Sequence, residues 1–163
     1  MTRQLYIVRH AESHSVHHYK TDIERELTPV GIHQVHELGK HLIESSVQID
    51  LIITSPAQRA KTTALLIANS LNYPGNKIEL ASKIYSGNLN DLLNIVKEIR
   101  DSNQQVLLVG HNPTLLEFIN FLSAVKKQSM STCELTQLSS ATNWHHTIEG
   151  SFHYVSGYRS ANQ

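Results

Sequence analysis

The sequence predicts a three-layer α/β domain: a central, mostly parallel sheet with helices on both faces and an antiparallel addition near the C-terminus. Two observations predict it. Three short apolar runs, Leu5-Tyr6-Ile7-Val8, Leu51-Ile52-Ile53-Thr54 and Val106-Leu107-Leu108-Val109, are continuous rather than alternating, as in strands buried on both faces. Amphipathic stretches of helical period separate them, and that alternation winds a parallel sheet. The length of 163 residues suits one compact unit, so residues 1–163 are expected to form a single domain.

Each element has its own local signal. Leu5 to Val8 is the first strand. Thr28-Pro29 opens the first helix, a capping side chain before a proline at the first helical position. Val35, Leu38 and Leu42 mark that helix's apolar face, with His33, Glu37, Lys40 and Glu44 opposite. After the strand Leu51 to Thr54, Ser55-Pro56 opens a second helix, and Ser55-Pro56-Ala57-Gln58 fits a capping box. Its stripe is Ala60, Ala64, Ile67, Ala68 and Leu71. Lys77 to Ala81 reads as a weaker edge strand, and Leu89, Leu92, Leu93, Val96 and Ile99 as a third helix. Beyond the strand Val106 to Val109, Asn112-Pro113 opens a fourth helix carrying Leu115, Leu116, Ile119 and Leu122. Residues 124–133 read as a loop, with late strands at Glu134 to Ser139 and Phe152 to Ser156.

Composition narrows the function classes. With 40% apolar and 17% charged residues the chain is globular rather than disordered. Fourteen Lys and Arg balance fourteen Asp and Glu, which argues against a broadly basic nucleic-acid binder. Cys133 is the one cysteine, so neither an internal disulfide nor a multi-cysteine zinc site is expected. No apolar run approaches the ~18 residues of a membrane span, and the N-terminus enters a strand without a secretory pattern, so a cytoplasmic protein is expected. The chain carries eleven histidines, and their chemistry has to be sorted.

The three strong strands end in residues of one kind. The first ends in Arg9-His10, the second runs through Thr54-Ser55-Pro56 to Arg59, and the third ends in Gly110-His111. In a parallel sheet these ends share the edge where α/β proteins bind ligands. Helix N-termini near Ser55 and Asn112 would add backbone N–H groups suited to an anion. Arginine forks match phosphoryl oxygens, and a histidine among them is a plausible nucleophile toward phosphorus. A cation such as Arg59 on a first helical turn opposes the helix dipole, which hints that it serves an anion.

These residues resemble a known family. Arg9-His10-Ala11-Glu12-Ser13 is similar to the "RHG" signature of the histidine phosphatase, or phosphoglycerate-mutase-like, superfamily. Leu27-Thr28-Pro29-Val30-Gly31-Ile32-His33-Gln34 resembles its "LTxxGxxQ" segment, Ser55-Pro56-Ala57-Gln58-Arg59-Ala60-Lys61-Thr62-Thr63 its "SPxxRAxxT" segment, and Gly110-His111-Asn112-Pro113 its "GHxP" segment. The Arg-His-Ala variant and the short chain resemble the small bacterial phosphohistidine phosphatases. The resemblance implies a phosphoglycerate-mutase-like fold and metal-free chemistry without a cofactor. His10 would become a phosphohistidine, while Arg9, Arg59 and His111 bind the phosphoryl oxygens, the arginines and histidines supplying the positive charge. It also exposes a departure. Where one branch keeps a glutamate, this chain reads Tyr85-Ser86-Gly87-Asn88, and where another keeps an aspartate it has Asn112. Glu12, Asp22, Glu24 and Asp91 are the possible substitutes for the missing acid.

The other histidines are weighed separately. His14, His17 and His18 follow the first motif and, with Asn112, are candidates for the crevice rim. His33 and His36 lie on a polar helix face, where solvation rather than metal binding is the default, and no metal is expected. Cys133 reads as structural. The expected function is a phosphatase acting on phosphohistidine of a partner protein, because a chain this short leaves little length for a lid. A small-molecule phosphomonoesterase of the same superfamily and a non-catalytic phospho-binding module remain open. Neither nucleic acid nor membrane is an expected partner, and a monomer is favoured.

Overall fold

The computed structural model describes residues 1–161. Six strands form one sheet in the order β3-β2-β4-β1-β5-β6. β1 (Arg3–Arg9), β2 (Leu51–Thr54), β3 (Glu79–Leu80) and β4 (Gln105–Gly110) run parallel, while β5 (Leu135–Ser140) pairs antiparallel with β1 and β6 (His153–Tyr158) antiparallel with β5. The predicted mixed sheet is therefore the observed one, with the two-residue β3 at one edge and the late hairpin at the other.

The continuous apolar runs have the expected cause. Along β1, Tyr6 and Val8 face one layer with α1 (Pro29–Glu44) and α2 (Gln58–Ser70), where Val35, Leu38, Ala60, Ala64 and Ile67 meet them. Leu5 and Ile7 face the other layer, formed by α3 (Ser82–Ser86), α4 (Leu89–Lys97) and α5 (Thr114–Ser123), with Leu92, Val96, Phe118 and Ile119. Both faces being covered, neither side of the strand needs polar residues. Trp144, beyond β5, closes the second layer and donates its indole N–H to the Asn103 carbonyl at 2.7 Å.

Two expected helix starts are displaced. Thr28 does cap α1, accepting from Gly31 N at 2.9 Å. Ser55 does not cap α2. Its N–H still bonds Val109 O at 3.1 Å, its hydroxyl accepts from Ala57 N at 3.1 Å, and the helix begins at Gln58 behind Ala57. The capping box over Ser55 to Gln58 is thus absent, because Ser55 continues the strand edge and its hydroxyl is also taken by His111. Asn112 does not cap α5 either. The helix begins at Thr114, and the Asn112 amide points away to donate to Met130 O at 3.0 Å.

The connection from β1 to α1 is fixed by close contact. The first turn of α1 lies against the backbone of Glu12, and a Cβ placed on Gly31 would sit 2.1 Å from Glu12 O. Thr28 N donates to that same carbonyl at 3.0 Å. At an ordinary helical site Gly→Ala gains up to ~1 kcal/mol. Here Gly31→Ala is expected to cost about 2 kcal/mol, since the neighbour is backbone and cannot yield. Urea unfolding of the variant measures it, and a gain in stability would contradict the packing.

Candidate active site

The β1–β4 register brings the predicted residues together. Arg9 lies opposite Gly110, His10 N donates to Gly110 O at 3.0 Å, and Ser55 N donates to Val109 O at 3.1 Å. The strand ends carrying His10, His111 and Ser55 are therefore adjacent, and α2 carries Arg59 in. The His10 and His111 ring centroids are 5.1 Å apart.

His10 is held in one orientation. Its Nδ1 lies 2.7 Å from Ala11 O, which assigns the proton to Nδ1 and leaves a lone pair on Nε2. Arg59 Nε donates to that Nε2 at 3.3 Å. Burial, and then the charges of His111, Arg59 and Arg9, lower the His10 pKa to about 3 against the pull of the Ala11 bond. At neutral pH it is a neutral imidazole beside arginines. His111 is likewise lowered, to about 4, by burial and then by Arg59. This corrects the expectation that histidines add positive charge: the arginines alone carry it. His111 Nε2 meets Ser55 Oγ at 2.7 Å.

Several polar atoms here are unpaired. Arg9 Nε, His111 Nδ1 and Asn112 Oδ1 are buried without a hydrogen-bond partner among the described residues. Buried polar atoms are seldom left so, and a donor on Arg9 Nε is the kind that meets an anion. Arg9 Nη1 is anchored on Met130 O at 2.9 Å, the carbonyl that also takes Asn112. The loop holding Met130 is tied down by Glu134, which pairs with Lys127 and Arg159 and accepts from Ser131 N.

Two residues of the quoted motifs, Gln34 and Thr63, act on backbone groups that the sequence does not identify. Gln34 accepts from Glu12 N at 2.9 Å, and Thr63 accepts from Ala11 N at 3.1 Å while donating to Arg59 O at 2.8 Å. Both clamp the turn after His10. Their signal was present in "LTxxGxxQ" and "SPxxRAxxT", but spacing does not say which backbone group each one meets.

Of the carboxylates weighed as a replacement acid, Asp22 reaches the site. Its carbonyl accepts from Arg59 Nη1 at 2.9 Å, and its Oδ2 accepts from Arg59 Nη2 at 3.0 Å and from the Tyr85 hydroxyl at 2.9 Å. Arg25 Nη1 donates to Oδ1 at 2.8 Å. Against the opposing effect of burial, Arg25, Tyr85 and Arg59 hold the Asp22 pKa at about 2, so it is a carboxylate and not an acid. Glu12 instead accepts from Thr28 Oγ1, Glu24 closes a turn on Thr21, and Asp91 accepts from Asn88 N. With Asp22 over Arg59, the site is more enclosed than the short chain suggests: His10 is 8% exposed and Arg59 6%. His14, His17 and His18 lie on the same β1–α1 connection. His17 and His18 are exposed and His14 half-buried, with the His14 ring 6.4 Å from His18 and 6.5 Å from Tyr19. Among the described residues no three His, Cys, Asp or Glu side chains are grouped to hold a metal ion. Cys133 is buried, and desolvation pushes its thiol up to about 12.

The two depressed histidines link folding to pH. Above the ordinary imidazole value of 6.5, native and unfolded chains both hold them neutral and they add no pH dependence. Below it the unfolded chain takes up protons that the native site refuses, so stability falls as pH drops toward 4. His10→Gln is expected to flatten that slope by about 1 kcal/mol per pH unit. Urea titrations at pH 7, 6 and 5 would measure it, and an unchanged slope would locate the proton uptake elsewhere.

Comparison with known proteins bears on the family and the fold. A protein of Hydrogenobacter thermophilus assigned as phosphoserine phosphatase 2 is 35% identical over 71 residues, 42% of this chain and 34% of its own. The chain thus spans about a third of that relative's length. The structure of a Nakamurella multipartitia protein assigned as the phosphohistidine phosphatase SixA superposes with a TM-score of 0.84 at 19% identity, covering 99% of this chain and 98% of that one. The protein histidine phosphatase SixA complexed with tungstate superposes with a TM-score of 0.81 at 19% identity, over 94% and 95% of the two chains. These likenesses carry the phosphoglycerate-mutase-like fold expected from the sequence. Residues 5–92, more than half of the chain, match the histidine phosphatase superfamily (branch 1), and the protein belongs to that family.

Proposed function

We infer that the protein is a metal-independent phosphatase that works through a phosphohistidine on His10 and takes phosphohistidine of a partner protein as substrate. The observation that carries the reading is the state of His10: Nδ1–H is fixed on Ala11 O, which leaves the Nε2 lone pair, accepting from Arg59 Nε, as the nucleophilic atom of the ring in a site that also holds the unpaired donor of Arg9. Nε2 attacks phosphorus in line. Arg9, Arg59 and the Nδ1 side of His111 hold the equatorial oxygens, where charge accumulates. Water then displaces phosphate from His10.

Leaving-group chemistry supports the substrate. An alkoxide needs a proton as it departs, typically worth 10²–10⁴-fold. The carboxylate at the site, Asp22, is held ionised down to about pH 2 and has none to give. An imidazole protonated beforehand leaves as a neutral molecule. Turnover of a small phosphomonoester is the second reading, favoured by the 35% identity to a protein assigned as a phosphoserine phosphatase.

Three outcomes are expected. His10→Ala should abolish turnover and the acid-labile phosphoenzyme trapped at that residue, and activity within about tenfold of the parent would overturn the mechanism. Arg9→Ala and Arg59→Ala should each lose roughly 10²-fold or more in kcat/KM while keeping the phosphoenzyme. EDTA should leave turnover unchanged, since the arginines already face the phosphoryl group; loss restored by zinc or magnesium would refute this.

A further inference from the structure

Phosphoryl binding leaves the Asp22–Tyr85 pair unexplained. Asp22 is anchored on Arg59 at one side of the site, and the Tyr85 ring stands edge-on to His111 at the other, with centroids 5.6 Å apart. Their 2.9 Å hydrogen bond joins the two sides. The Asp22 side chain is 41% exposed where that of Arg59 is 7%, so the pair lies at the mouth, outside the phosphate-binding groups. A carboxylate has about four acceptor positions. Arg25, Arg59 and Tyr85 fill three of them, leaving one for an incoming donor.

We propose that Asp22 and Tyr85 form the leaving-group subsite and select a protonated nitrogen heterocycle. The Asp22 carboxylate accepts the distal ring N–H of an N-phosphorylated imidazole, and the Tyr85 ring packs beside it. The inference rests on the phosphohistidine reading above and names the residues that make the choice. In the first step the substrate enters protonated at its distal nitrogen. The bond from His10 Nε2 to phosphorus forms as the substrate N–P bond breaks, and the electron pair of that bond stays on the departing nitrogen. The product is a neutral imidazole that keeps its distal N–H, while His10 keeps its Nδ1–H. Without the distal proton the ring would have to leave as an anion. Asp22 favours the form that can leave, whereas its fixed negative charge opposes an oxygen leaving group that is becoming an anion. Asp22 also orients Arg59, through its main-chain carbonyl on Nη1 and its carboxylate on Nη2, and a loss through Arg59 falls on every phosphoryl substrate alike.

The test compares phosphoimidazole with p-nitrophenyl phosphate, whose leaving group needs no proton. Asp22→Asn should lower kcat/KM for phosphoimidazole about tenfold or more beyond any loss on p-nitrophenyl phosphate, so that the ratio of the two activities falls by that factor. Equal losses on both substrates, or none on either, would overturn the proposal. If that variant fails to fold, Tyr85→Phe decides. It keeps the ring but removes the donor that competes for Asp22, so the ratio of phosphoimidazole to aryl phosphate activity should rise about threefold. A ratio unchanged or lowered would overturn the subsite. A parent protein that hydrolyses phosphoserine but not phosphoimidazole would instead refute the phosphohistidine reading, and is recognised before any substitution is made.

Discussion

The parallel pairing of β1 with β4 sets Arg9 beside Gly110, and with it places His10 beside His111. β4 also pairs with β2, so the end of β2 delivers Ser55 to the same edge. This depends on β4, fourth in the chain, entering between β1 and β2. A one-residue slip would turn every apolar side chain of β1 to the wrong layer, and burial on both faces forbids it. Hydrophobic packing that has no contact with any ligand thus fixes the separation of the two histidines.

The site's electrostatics follow from enclosure. Arginines supply positive charge, and burial together with that charge keeps both histidines neutral. A histidine that would be half protonated in water near pH 6.5 is thereby available as a base and nucleophile in acid. Each arginine has a counter-charge: burial lowers the Arg9 pKa and the Glu134 charge opposes that shift, while the Asp22 carboxylate pairs with Arg59. Arg59 uses three donors on His10 and Asp22, so two of its five N–H groups remain.

Much of what looks like a ligand-binding motif is scaffold. Thr28, Gly31 and Gln34 each engage Glu12, and Thr63 engages Ala11 and Arg59. The turn after His10 is held from three directions, which fixes the Ala11 carbonyl that in turn fixes the His10 tautomer. Such second contacts would keep His10 oriented in the role proposed for it.

The sequence by itself determined the layers, the strand and helix order, and the gathering of Arg9, His10, Arg59 and His111 at one edge. These follow from hydrophobic period and from the rule that parallel strands end together, both local or topological. It did not determine where α2 and α5 begin, because Ser55 and Asn112 are drawn into contacts with His111 and Met130 that outweigh capping. Nor did it decide between four carboxylates. Asp22 reaches Arg59, 37 positions away, and Tyr85, 63 positions away. Its ionised state comes from those partners and from Arg25. The charge of a side chain at such a site is a property of its neighbours in space, and only the tertiary structure decided who they are.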